Sequence, residues 1–90
     1  MGSKSRNRPQ KLARKLLQIR NTLGLSQSQL LRRLGADGFT PARISEYETG
    51  SRVPSLLTLL AYARAARVRV EVLIDDELEL PERLKQSRAS

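Results

Sequence analysis

Twice between Leu25 and Gly50 the chain spells out a complete short helix, with a start signal, an apolar stripe and a stop. In the first, Ser26 is an N-cap and Gln29, three residues on, reaches back to it as a capping box. Leu25 just outside and Leu30 inside form the matching hydrophobic staple. Leu30, Leu31 and Leu34 supply the apolar stripe, and Gly35 suits the left-handed stop. In the second, Thr40 is the N-cap and Pro41 sits where a missing N–H does no harm. Phe39 and Ile44 repeat the staple, Ile44 and Tyr47 face inward, and Gly50 ends the helix. The helical period then points Ala42, Glu46 and Thr49 away from Ile44, with Arg43 and Ser45 on the flanks. A short helix held by two anchors, with a polar outer face, has the shape a DNA major groove accepts.

The flanking segments supply a bundle to hold this pair. Residues 9–23 read as a first helix: Leu12, Leu16, Ile19 and Leu23 share one face, widened by Ala13 and Leu17. Lys11, Arg14, Lys15 and Gln18 line its other side, Asn7 is placed to cap it with Pro9 in the first turn, and Gly24 closes it. The motif helices span about 26–34 and 41–49, and Asp37-Gly38 marks a turn between them. After a loop at 51–54, Ser55 caps a helix over 55–66 whose stripe is Leu56, Leu59, Leu60 and Ala63, with Tyr62 beside it. Arg67 stands where a terminating glycine is usual.

Residues 68–74 fit two readings. Val68, Val70 and Val72 alternate as in a strand, and a helix over 70–74 burying Val70, Leu73 and Ile74 fits equally well. The helix is preferred because a lone strand has no partner inside the domain; a strand would pair with its counterpart in a second subunit. Residues 75–80, DDELEL, read as a solvated acidic segment rather than a cation site. The expected fold is all-α: a compact four- to five-helix bundle over 9–80, between a disordered basic arm at 1–8 and a flexible tail at 81–90. The arm reads either as a solvated tail or, through Lys4, Arg6 and Arg8, as a follower of the phosphate backbone or minor groove.

Composition removes several functions. The chain has no cysteine and no histidine, so thiolate metal sites and Ser-His-Asp chemistry lack their parts. No acid–base pair is placed around a pocket, so an enzyme is not expected, nor a cofactor, a metal or a small-molecule ligand. Lys and Arg total 17 against 9 acidic residues, a net charge of +8. Residues 1–70 carry net +11 and residues 71–90 net −3, so a basic body with an acidic end favours a polyanion on one face. No apolar run approaches the ~18 residues of a membrane span, and the basic N-terminus lacks the apolar core of a secretory signal; cytoplasmic residence is expected.

The segments IRNTLGLSQ, LLRRLG, ISEYETG and VPSLLTLL, in this order between Ile19 and Leu60, resemble the phage-repressor-like (Xre-type) helix-turn-helix domains. The resemblance extends more loosely over about 12–80. It implies four or five helices, residues 40–49 as recognition helix, a phosphate contact near Gln27, and pairing of Arg20 with Glu48. Against the family pattern, Ala36 to Gly38 are extra, Arg67 and Arg69 replace small or capping residues, and Pro41 and Ala42 replace polar residues at the first base-reading positions.

These readings define a candidate DNA-binding set: Gln27, Thr40, Pro41, Ala42, Arg43, Ser45, Glu46, Thr49 and Arg52. Gln27 and the positive start of its helix suit a phosphate. Arg43 suits guanine N7 and O6, or a phosphate. Glu46 suits cytosine N4, or else repels phosphate or orients Arg43; Ser45 and Thr49 suit either base or phosphate; Ala42 suits a thymine methyl. Arg52 reads as a backbone clamp. The function expected is a sequence-specific double-stranded DNA-binding regulator, a repressor, acting as a homodimer through the apolar surface that runs from Val68 to Leu80. The alternative is an interaction module or antitoxin-like subunit that keeps the fold and binds a protein, because Pro41, Ala42 and Glu46 are weak base readers.

Overall fold

In the computed structural model, residues 11–35 and 39–81 are described. They form five helices: α1 (Leu12–Leu23), α2 (Gln27–Leu34), α3 (Pro41–Thr49), α4 (Leu56–Ala66) and α5 (Val70–Ile74). Among the described residues there is no strand, so the valine alternation at 68–72 resolves as the helix. The arm at 1–8, the Asn7 cap with Pro9, the Asp37-Gly38 turn and residues 82–90 lie outside the described residues.

Local signals close these helices much as their residues dictate. Ser26 Oγ accepts from Gln29 N–H at 3.1 Å while Gln29 Oε1 accepts from Ser26 N–H at 2.8 Å, a complete capping box. Ser55 Oγ accepts from Thr58 N–H at the start of α4. Gly35 and Gly50 end α2 and α3 in the left-handed region, at φ 68° and 85°. Arg67 ends α4 at φ 61°, the glycine position filled by an arginine at a steric cost. Thr40 takes the extended N-cap conformation but its side chain makes no capping bond, a correction to its reading as a full cap.

Every helix contributes to one core. Leu16 and Ile19 of α1, Leu30 of α2, Ile44 of α3, Tyr62 of α4 and Leu73 of α5 are fully buried. α1 lies against α3, α4 and α5, and α2 lies against α3 and α4. Tyr47 and Tyr62 meet edge to face, with ring centroids 6.4 Å apart.

Four expectations are corrected by packing. Lys15, assigned to the outer side of α1, is 2% exposed. It stands three residues after Leu12 and four before Ile19, so helical geometry places it on the apolar face despite its charge. Its ammonium donates to the carbonyls of Val72 at 2.6 Å and Asp75 at 3.0 Å, serving the end of α5 where intrahelical donors run out. Burial lowers its pKa, partly offset by Asp76 and Glu79.

The acidic segment is likewise not merely solvated. Asp76 Oδ1 accepts from Lys11 N–H at 3.0 Å, placing a carboxylate at the positive start of α1. Glu79 pairs with the Lys11 ammonium at 3.4 Å, and Leu80 is buried in the core. This tertiary cap stands at the start of α1, at Leu12.

Leu56, assigned to the α4 stripe, is 70% exposed, as is most of Leu57. The stripe actually buried is Leu59, Tyr62, Ala63 and Ala66; Leu56 lies one turn before it, where no described element covers it. Ile74 is also exposed, because α5 turns Leu73 inward instead.

Tyr62 carries a prediction. Its hydroxyl is buried and finds no hydrogen-bond partner among the described residues. Burial chiefly, then the nearby Glu48 and Tyr47, holds its pKa well above the ordinary 10.0. Tyr62→Phe is expected to raise stability at neutral pH by up to about 1 kcal/mol in urea titrations, since the buried hydroxyl no longer has to be desolvated. Above pH 10 the unfolded phenol ionises while the folded one does not, so the unfolded state binds fewer protons and stability falls as pH rises, by at most about 1.4 kcal/mol per unit from this group. Lys15, with its pKa lowered, contributes the opposite slope just below its ordinary value and does so in both proteins. The difference between the two curves therefore isolates Tyr62, and parallel curves above pH 10 would refute its assignment.

Candidate nucleic-acid interface

The outward face of α3 is built by the same residues that anchor its inward one. With Ile44 and Tyr47 in the core, the period leaves Pro41, Ala42 and Thr49 exposed, and Thr40 exposed just before them. Arg43, Ser45 and Glu46 are half-buried along the sides.

Glu46 is the centre of this surface. Its carbonyl accepts from the N–H groups of Ser51 at 3.0 Å and Arg52 at 3.3 Å, and from the hydroxyls of Thr49 and Ser51 at 3.3 Å. The chain after Gly50 is thereby folded back over the end of α3. That return brings Arg52 Nε to Glu46 Oε1 at 2.8 Å. Arg43 Nε, one turn earlier on the helix, stands 3.6 Å from the same oxygen. The Arg43 guanidinium lies over the Phe39 ring, 4.6 Å from its centroid. Arg43, Glu46, Thr49 and Arg52 are thus brought together in one cluster.

Gln27 reaches α3 from a second direction. Its amide donates to Glu48 Oε1 at 3.3 Å. Glu48 is also bound by Arg20, through Nε at 2.6 Å and Nη2 at 3.0 Å, while Arg20 Nη1 donates to the Leu25 carbonyl at 3.1 Å. The bond to Glu48 pushes the Arg20 pKa further up, so the guanidinium is charged throughout. This network joins α1, the start of α2 and α3 through the buried Glu48 side chain.

A helix-turn-helix family model matches residues 16–73. The chain belongs to the helix-turn-helix family. No curated protein and no solved structure matches the chain. The match spans α2 and α3, the two helices on either side of the motif turn, and runs through most of α5. The phage-repressor-like resemblance agrees with it, and the Arg20–Glu48 pairing which that resemblance implies is present. Among the described residues no helix is long and apolar enough to cross a membrane.

Two features of this helix-turn-helix surface go beyond the sequence, which offered Glu46 as an orienter of Arg43 alone. Phe39 serves Arg43 as a platform as well as being a staple, and its spacing of four residues from Arg43 was the available signal. Glu46 is a common anchor for two arginines; its pairing with Arg43 follows helical spacing, but its bond to Arg52 depends on how the loop returns.

Proposed function

We propose that this helix-turn-helix protein is a cytoplasmic, sequence-specific double-stranded DNA-binding regulator of transcription, a repressor, which reads the major groove with α3. The observation that carries the reading is the outward face of α3, flanked by Arg43 and Arg52, on a helix that Gln27 at the start of α2 bonds through Glu48. Gln27 and the first turn of α2 bind one phosphate. Arg43 donates to guanine, Ala42 meets a thymine methyl, Ser45 and Thr49 bond to base or backbone, and Thr40 and Pro41 line the groove wall. Arg52 clamps a phosphate.

This division of labour is testable. Arg43→Ala is expected to relax preference at one base pair by about tenfold. Arg52→Ala is expected to weaken selected and random duplexes alike and to flatten the salt dependence by about one phosphate. Titration of both variants against a selected and a random duplex checks it; uniform losses for both would remove the assignment of Arg43 to a base.

We further propose a homodimer, because one α3 spans few base pairs and a two-fold site sets two such helices about 34–36 Å apart. Over residues 68–80 the core takes Leu73 and Leu80 and leaves Ile74 as the large exposed apolar side chain; Leu56 and Leu57 present a larger apolar exposure at the start of α4. Sedimentation is expected to show a dimer on DNA, reduced to monomer by Ile74→Glu if the 68–80 surface pairs and by Leu57→Glu if the α4 surface does. A monomer with the unaltered chain, free and bound, would overturn the dimer.

A protein-binding module is the second reading, favoured by the exposure of Pro41 and Ala42, which offer no side-chain hydrogen bond where α3 would first meet a base. Selection from random duplex DNA separates the two: an enriched palindrome supports the regulator, and no enrichment supports the module.

A further inference from the structure

We propose that Glu46 is a positioning residue for DNA recognition: its carboxylate holds the guanidinium groups of Arg43 and Arg52 in fixed orientations, with Phe39 as the platform under Arg43, and does not itself read a base. The assignment rests on the DNA reading given above and names which side chain sets its specificity.

The geometry supports this in three ways. First, Glu46 Oε1 engages the Nε side of both arginines, at 2.8 Å for Arg52 and 3.6 Å for Arg43. A guanidinium held at Nε keeps its terminal nitrogens, Nη1 and Nη2, for a second acceptor, and that pair of donors matches both guanine N7 and O6 and a phosphate. Second, Arg43 is constrained in a different plane by the Phe39 ring at 4.6 Å. Stacking limits the tilt of the guanidinium while the carboxylate attracts its Nε edge at ion-pair distance, and together they bias the fork before DNA arrives. Third, the Glu46 backbone carbonyl holds Ser51 and Arg52 by their N–H groups, so one residue determines the position of Arg52 through its main chain and its orientation through its side chain.

A carboxylate committed to two cations is poorly placed to accept from cytosine as well. It also lies beside the approaching phosphates, where its charge opposes binding without regard to sequence. Positioning therefore raises discrimination while the charge lowers general affinity, and the two effects separate on substitution.

The test uses the full chain and its Glu46→Gln and Glu46→Ala variants. In the free protein, the Nε–H resonances of Arg43 and Arg52 are expected to be sharp and slowly exchanging in the unaltered chain, and broadened in Glu46→Ala. On DNA, Glu46→Gln is expected to reduce the ratio of selected-site to random-duplex affinity about five- to tenfold while random-duplex affinity stays equal or rises. In an Arg43→Ala background the same change is expected to leave that ratio unaltered, because the group it orients is gone. Urea midpoints are expected to agree among the Glu46 variants to within the small range of surface substitutions, which sets the effect apart from loss of fold.

A loss of discrimination that persists in the Arg43→Ala background and is confined to one cytosine would overturn the proposal in favour of direct reading by Glu46. Unchanged arginine resonances in Glu46→Ala would overturn it too, whatever the DNA result. If the unaltered chain enriches no duplex while its arginine resonances respond to Glu46, the DNA reading fails and the assignment to DNA recognition falls with it.

Discussion

Glu48→Ala is expected to destabilise the protein by about 3 kcal/mol, the largest effect of any single change outside the apolar core. The Glu48 side chain is 6% exposed and that of Arg20 is 18% exposed, so both charges are largely out of water. Arg20 meets Glu48 with two nitrogens and spends a third on the Leu25 carbonyl. Removing the carboxylate strands a guanidinium that cannot lose its proton, next to a Gln27 amide that has also lost its acceptor. Breaking a fully buried pair costs about 3–5 kcal/mol, and the residual exposure of Arg20 puts this one at the lower end. The joint change of Arg20 and Glu48 to leucine is expected to recover most of that loss, since much of it is the unpaired charge rather than the worth of the pair. Urea denaturation of the two single variants and the double variant checks this. A loss below about 1 kcal/mol for Glu48→Ala would mean that the pair behaves as a surface ion pair.

Salt is expected to produce the largest change in binding. If a dimer neutralises about six phosphates, affinity for DNA should fall about a thousandfold between roughly 50 and 200 mM salt, at about 0.9 in the logarithmic slope for each phosphate. The charges responsible are on the body of the chain, which carries net +11 over residues 1–70. The acidic residues beyond them are engaged elsewhere: Asp76 and Glu79 hold Lys11 at the start of α1. On the α3 face itself Glu46 is the carboxylate between Arg43 and Arg52. The slope is obtained from titrations at four or five salt concentrations. A flat line would remove phosphate contact from the mechanism and favour the protein-binding module.

The predictions differ in what they rest on, and so do the parts of the fold. The capping box at Ser26, the left-handed stops at Gly35 and Gly50, and the inward pair Ile44 and Tyr47 were legible from the order of residues. The cause is local: a cap satisfies donors within three residues of itself, and an apolar stripe needs only the helical period. The outward set on α3 followed from the same period, because fixing which side is buried fixes which side is not.

For Lys15 and the segment 75–80 charge stood in for position, and for Leu56 spacing did. A lysine on an apolar stripe can be buried if acceptors wait for it, and its acceptors, Val72 and Asp75, lie 57 and 60 residues away in the chain. Asp76 caps the start of α1 through the N–H of Lys11, 65 residues before it. Leu56 has the right spacing for the core, but no described neighbour reaches the first turn of α4.

The sequence by itself thus determined four helices, left the fifth open between helix and strand, and fixed the glycine stops and most of the apolar face each helix would bury, because those are set by donors, acceptors and apolar groups a few residues apart. Only the tertiary structure decided the long-range pairings of charged groups: Lys15 with the end of α5, Asp76 with the start of α1, and Glu46 with Arg52 of the candidate interface. A charge is satisfied by whatever comes within about 3–4 Å of it, and that is fixed only when helices distant in sequence have packed.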